Sequence, residues 1–216
     1  MPDTLGVKPQ QPDAAVIDRA VAVLREGGLL IYPTDTLYAL GGRALDAAAA
    51  AAVRDAKGRG DDKPLPVIAA DAEQARAIVA GWPEAAQRLA AAFWPGPLML
   101  VLPAAPSVPR EVTAGTGTVA VRVPALAVSR RLAAGAGPLV STSANRSGQP
   151  PPLTCAEAVQ QVGEAAALAL DAGPGQPVPS TIVDLTGPEP RLLRSGAVKW
   201  EQVRRVWPSI SRSSAP

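Results

Sequence analysis

No histidine occurs anywhere in this 216-residue chain, and there is a single cysteine, Cys155. These two absences remove whole classes of chemistry. Zinc sites of the usual Cys/His kind cannot be assembled. Neither a Ser-His-Asp triad nor a Cys-His nucleophile pair is available. A disulfide within the chain is impossible, and Cys155 reads as a small buried hydrophobe. Aromatic residues make up only 3%, seven in all (Trp 4, Tyr 2, Phe 1), which is too few for a platform on which nucleic-acid bases stack. No run reaches the ~18 apolar residues that a membrane span needs, and no N-terminal stretch reads as a signal peptide. The expectation is a soluble, cytoplasmic protein with no membrane partner. Charge of one sign is also lacking: 21 basic against 19 acidic residues leave +2, so bulk charge makes no case for nucleic acid.

What is present is a globular composition, 47% hydrophobic, whose core must be built from Ala, Val and Leu. The 24 prolines and 19 glycines predict many turns. Residues 1–12 read as a flexible arm, 13–207 as one domain, and the Ser-rich 208–216 as a disordered tail. Asp13 caps a helix whose face carries Val16, Ile17, Ala20, Val21 and Leu24, and Gly27-Gly28 ends it. Asp46 caps a second, Ala-rich helix reaching about Ala56. Further helices are predicted over 71–80, 84–93, 126–134 and 154–163, and strands over 29–32, 65–69, 98–102, 118–123, 138–141, 167–170, 181–185 and 191–194. Strands alternate with helices early, and short strands dominate later. That pattern predicts an α/β fold with a mixed, twisted, mostly open sheet flanked by helices.

Two phosphate-binding patterns fail. There is no Gly-x4-Gly-Lys-Ser/Thr loop. Gly115-Thr116-Gly117-Thr118-Val119-Ala120 fits the dinucleotide pattern in letters but leads into a strand, where the mechanism needs a helix. The informative residues are polar clusters at strand ends. Tyr32-Pro33-Thr34-Asp35-Thr36 follows one strand, and its simplest reading is a proline turn with hydroxyl caps. Lys57, Arg59 and Lys63 form a basic loop. Arg122 alternates with valines, so it faces away from theirs and is placed to clamp a carboxylate. Ser141-Thr142-Ser143-Ala144-Asn145 gathers more hydrogen-bonding side chains at one strand exit than a capping turn uses.

The ordered segments LLIYPTDTLYALGG, AKGRGDDKPLPV, FWPGPLMLVLP, TVAVRVP, STSANRSGQP, PSTIVDLT and LLRSGAV together resemble the YrdC/Sua5 family of threonylcarbamoyl-AMP synthases, over roughly residues 13–200. The resemblance implies a sheet around a large concave cleft. It implies an enzyme that condenses L-threonine, bicarbonate or CO2, and ATP to L-threonylcarbamoyladenylate plus pyrophosphate. A downstream tRNA threonylcarbamoyl transferase complex would use the product, and weak tRNA binding would fit the cleft. By the same resemblance, Lys57 and Arg59 act electrostatically on the ATP phosphates, and Thr118, Ser143, Asn145 and Arg194 complete the nucleotide site. Thr36, Lys63, Arg122, Ser141 and Ser180 make the threonine pocket. Mg²⁺ would arrive on ATP, with no metal ligand from the protein. Ala39 stands where the family usually has Gly, and Gly60 where proline is common. Two other readings stay open at this level: an RNA-binding or ribosome-maturation module using the same cleft, and the carbamoyl-transfer domain of hydrogenase-maturation proteins.

Overall fold

The short strands and Ala-rich helices of the sequence assemble in a computed structural model that describes residues 1–58, 60 and 63–207. Among these residues the strands are β1 (Asp3–Gly6), β2 (Leu30–Tyr32), β3 (Ala39–Gly41), β4 (Val67–Ile68), β5 (Leu98–Pro103), β6 (Thr118–Arg122), β7 (Leu139–Val140), β8 (Thr142–Ser143), β9 (Leu168–Asp171), β10 (Thr181–Asp184) and β11 (Arg191–Arg194). The helices are α1 (Ala14–Arg25), α2 (Ala47–Lys57), α3 (Ala72–Arg76), α4 (Glu84–Phe93), α5 (Arg110–Thr113), α6 (Ala127–Ala136), α7 (Cys155–Val162) and α8 (Trp200–Val206).

The single expected sheet is two. One runs β1-β9-β2-β3-β8 and the other β11-β10-β5-β6-β4-β7, both mixed and both open. The chain passes from the second to the first within a few residues: β7 ends at Val140, Ser141 is the joint, and β8 begins at Thr142. That crossing explains why a polar cluster interrupts an apolar run here.

Alternation along the strands divides the interior into two cores. Leu29 and Ile31 belong to one, and Leu30 and Tyr32 to the other, so β2 is buried on both faces. Val67 and Ile68 divide likewise, as do Leu139 and Val140. The first core sits under α2, α4 and α7, the second under α1 and α6.

Local chemistry sets the helix ends where the sequence marks them. The Asp13 side chain accepts from the Ala15 N–H at 3.0 Å, and Asp46 accepts from Ala48 and Ala49. Thr154 and Glu157 form a capping box on α7. Gly58 closes α2 in the left-handed conformation at φ +58°. Two expectations need correction. Residues 3–6 are not a loose arm: they pair in parallel with β9, from Asp3 opposite Leu168 to Gly6 opposite Asp171. The helix expected over 71–80 stops at Arg76, because Val79 bridges to Ala104 and the Ala80 N–H donates to the Pro103 carbonyl. The proposed tail, 208–216, lies outside the described residues.

Candidate functional site

Between the two sheets opens a cleft of about 370 Å³. Its wall follows from strand periodicity. On β6, Val119 and Val121 enter the core, so Thr118, Ala120 and Arg122 face the cleft. On β5, Leu98, Leu100 and Leu102 go inward, leaving Met99 and Val101 to the cleft. Ser180 and Ile182 do the same around β10. The register slips between β10 and β11: Ile182 faces Arg194 and Val183 faces Leu192. Leu193 is the extra residue, and this bulge allows both Leu193 and Arg194 to line the cleft. The opposite wall comes from Thr34, Thr36, Tyr38 and Ala39 and from Ser141, Thr142 and Ser143 at the sheet crossing.

Two guanidinium groups dominate the charge. Arg122 is 3% exposed, and its Nη1 contacts Asp35 Oδ1 at 2.6 Å. The same nitrogen donates to the Gly96 carbonyl at 3.3 Å, and Nη2 donates to the Thr36 hydroxyl at 3.2 Å. Arg194 donates through Nε to the Ser180 carbonyl at 2.9 Å and through Nη2 to the Ser180 hydroxyl at 3.0 Å. Burial, and then the nearby charge of Arg122, pull the Arg194 pKa below its usual value. A guanidinium whose charged form is disfavoured by burial and by a neighbouring cation makes the Arg194 end of the cleft suited to an anion. Tyr32 lies beneath. Burial pushes its phenol up, against the opposing effects of a hydrogen bond with Ser141 and the Arg122 charge, and its hydroxyl donates to the Val140 carbonyl at 2.9 Å.

Of the residues singled out from sequence, Thr36, Thr118, Arg122, Ser141, Ser143, Ser180 and Arg194 share this cleft. Lys57 and Asn145 sit behind its wall. Lys57 is 4% exposed at the end of α2. Its Nζ donates to the Ser143 carbonyl at 2.5 Å, the Asn145 carbonyl at 2.6 Å and Asn145 Oδ1 at 3.3 Å. Asn145 in turn donates through Nδ2 to the Arg146 and Gln149 carbonyls. A polar loop therefore describes Lys57 poorly: it is a buried tie holding the strand exit. Lys63 is exposed and does not line the cleft, and Arg59 lies outside the described residues. Gly60 does not leave its surroundings without anchors. Arg54, 6% exposed, donates to the carbonyls of Gly60, Lys63 and Glu111 at 2.6–3.0 Å.

Sequence reasoning passed over Arg54, which looks like one more charge on a helix, and Tyr38, whose hydroxyl donates to the Gly173 carbonyl at 2.6 Å. For Asp35 the sequence leaves a turn role and a metal role equally open. The turn is in fact held by Thr34, whose hydroxyl donates to the Leu37 carbonyl and accepts from the Thr36 N–H. Ala39 lies in extended β3, so its methyl carries no backbone strain. Cys155 is buried, with its thiol pushed up to about 11 by burial and then by Asp171, which fits an inert side chain. No helix among the described residues is long and apolar enough to cross a membrane.

Comparison with known proteins places the fold. A Mycobacterium tuberculosis protein is 42% identical over 199 residues, 92% of this chain and 91% of its own length. The threonylcarbamoyl-AMP synthase of Pyrococcus abyssi is 40% identical over 189 residues, 87% of this chain but 56% of that protein. The crystal structure of Pyrococcus abyssi Sua5 complexed with L-threonine superposes with a TM-score of 0.89 at 38% identity, over 94% of this chain and 60% of that one. The chain thus spans little more than half the length of its Pyrococcus relative. The Sua5/YciO/YrdC family model, described as telomere recombination, matches residues 22–196. With the match running across most of the chain and its polar segments meeting at one cleft, the chain belongs to the Sua5/YciO/YrdC family.

Proposed function

We propose that this chain is an L-threonylcarbamoyladenylate synthase. It condenses L-threonine, bicarbonate or CO2, and ATP, releases pyrophosphate, and supplies the adenylate to a tRNA threonylcarbamoyl transferase. The observation that carries this reading is the joint placement of Arg122 and Arg194 in one cleft with the hydroxyls of Thr36, Ser141, Ser143 and Ser180. The Pyrococcus relatives supply the substrate class.

The chemistry needs no side-chain nucleophile, which suits a chain without histidine. The threonine amine adds to CO2 and loses a proton, giving a carbamate. A carbamate oxygen attacks the α-phosphorus of ATP, the bond to the β-phosphate oxygen breaks, and pyrophosphate leaves. Such a step depends on alignment and charge neutralisation. In this reading Arg122 takes the threonine carboxylate, with Thr36, Ser141 and Ser180 around the amino acid. Arg194, Thr118 and Ser143 face the nucleotide, with Asn145 behind Ser143. Lys57 supports that wall from behind and reaches a phosphate only by exchanging its carbonyl partners. Arg59 is assigned to the phosphates, and Lys63 to the threonine side, on their motif positions alone. Among the described residues no group of three or more His, Cys, Asp or Glu side chains is placed to hold a metal ion. In this reading Mg²⁺ would come with the triphosphate and would supply neutralisation of phosphate charge.

The test is pyrophosphate release from ATP with bicarbonate and Mg²⁺, screened across the proteinogenic amino acids. Release that depends on threonine alone is expected. Release with none of them, or with all alike, would overturn the proposal.

A further inference from the structure

The Arg122 guanidinium is buried together with a counter-ion, and that counter-ion has no other visible duty. Asp35 side chain is 12% exposed, and its Oδ1 holds Arg122 Nη1 at 2.6 Å. Its other oxygen, Oδ2, is buried and has no hydrogen-bond partner among the described residues. A buried carboxylate oxygen without a donor is uncommon and calls for a reason. The reason is not the turn, because Thr34 already closes it. Nor is Asp35 part of the cleft wall, which takes Thr34 and Thr36 on either side of it. Its recorded contact runs to Arg122, and its effect on a ligand must pass through that residue.

That effect is electrostatic and geometric. Asp35 and Gly96 occupy Nη1, and Thr36 takes one of the two Nη2 hydrogens, so Nε and the other Nη2 hydrogen are the donors left for a carboxylate. Asp35 also cancels the Arg122 charge at this end of the cleft. A ligand carrying only a carboxylate meets the Asp35 charge as repulsion. A ligand with an ammonium on the adjacent carbon offsets it. We propose that Asp35, acting through Arg122, is a specificity-determining residue that makes this end of the cleft select a zwitterionic α-amino acid over the corresponding α-hydroxy acid. This inference rests on the reading of Arg122 as the carboxylate site.

The test is calorimetric titration of L-threonine and of 2,3-dihydroxybutanoate, which has a hydroxyl in place of the amino group. Wild-type protein is expected to prefer threonine by at least roughly tenfold, the ratio that one charge-assisted contact sustains. Asp35→Asn keeps the shape and removes the charge, and it should bring the ratio close to one. Asp35→Glu should retain a preference, and Asp35→Ser replaces the Asn variant if that one does not fold. An unchanged ratio, with both affinities falling together, would make Asp35 merely structural and overturn the proposal. Failure of the wild type to bind threonine at all would overturn the threonine reading and this inference with it.

Discussion

At the scale of single residues, burial decides what each charged group does. Lys57 reads from sequence as a phosphate-facing lysine on a polar loop. In the fold its ammonium ties together the carbonyls of Ser143 and Asn145. Lys57→Ala is therefore expected to lower stability as well as activity, by about 1–3 kcal/mol for the carbonyls left unpaired. Urea unfolding measured beside turnover checks this, and loss of turnover at unchanged stability would contradict it. Arg122 asks for a gentler variant. Truncation would strand Asp35 in the interior, so Arg122→Lys is the informative change: it keeps the charge and loses the fork. Its KM for threonine should rise about tenfold or more while the KM for ATP moves little. Equal rises for both substrates would refute the division of the cleft.

At the scale of elements, close backbone approach does what side-chain patterning cannot announce. β3 passes so near the sheet crossing that a Cβ on Gly41 would lie 1.8 Å from the Val140 carbonyl oxygen. Backbone cannot yield there as a flexible side chain would. Gly41→Ala should cost at least about 1–3 kcal/mol and displace the Ser141–Ser143 exit, lowering the unfolding midpoint and the activity together. A variant as stable as the wild type would show that the crossing is looser than this. The elements read best from sequence are those with local signals: α1 and α2 with their aspartate caps, α7 with its capping box, and the Pro-bounded β5. Those missed have none. β1 is held by β9, far away in sequence, and β3 lies in a stretch after the proline turn that carries no strand signal of its own. α5 and α8 are short, and α3 loses its last turns to a bridge with Ala104.

At the scale of the whole molecule, the missing histidine becomes a statement about stability. No side chain of ordinary pKa titrates between about pH 5 and 8, and Cys155 is pushed up to about 11 by burial and then by Asp171. The unfolding temperature is expected to be nearly flat across that range. On the acid side Asp184 is informative. Burial works against its ionised form, but the Thr186 hydroxyl and N–H and the Arg191 guanidinium outweigh burial and hold its carboxyl below the usual range. A pKa lowered by folding stabilises above the unfolded value of about 3.9, and that contribution is lost as pH falls through the lower folded value. Asp184→Asn should therefore lower stability near neutrality, where the ionised carboxylate contributes in full, and flatten the profile below about pH 4, where wild type loses that contribution. Thermal melts across pH check both statements, and a steep slope between about pH 5 and 8 would sink the first.

The sequence alone excluded zinc, triad and disulfide chemistry, by what it lacks, and determined the α/β order, by hydrophobic period and caps that act within a few residues. The resemblance of its ordered segments to one family also marked Thr36, Thr118, Arg122, Ser141, Ser143, Ser180 and Arg194, residues that strand-end position by itself marks only weakly. Tertiary structure decided the rest. Two sheets form because the chain changes partners at Ser141, and pairing between distant strands leaves no local trace. The burial of Lys57, the anchoring work of Arg54 and the pairing of Asp35 with Arg122 all depend on groups 6 to 88 residues away along the chain. Only folding brings such groups within hydrogen-bonding distance, and at that distance the cost of an unpaired buried charge fixes their roles.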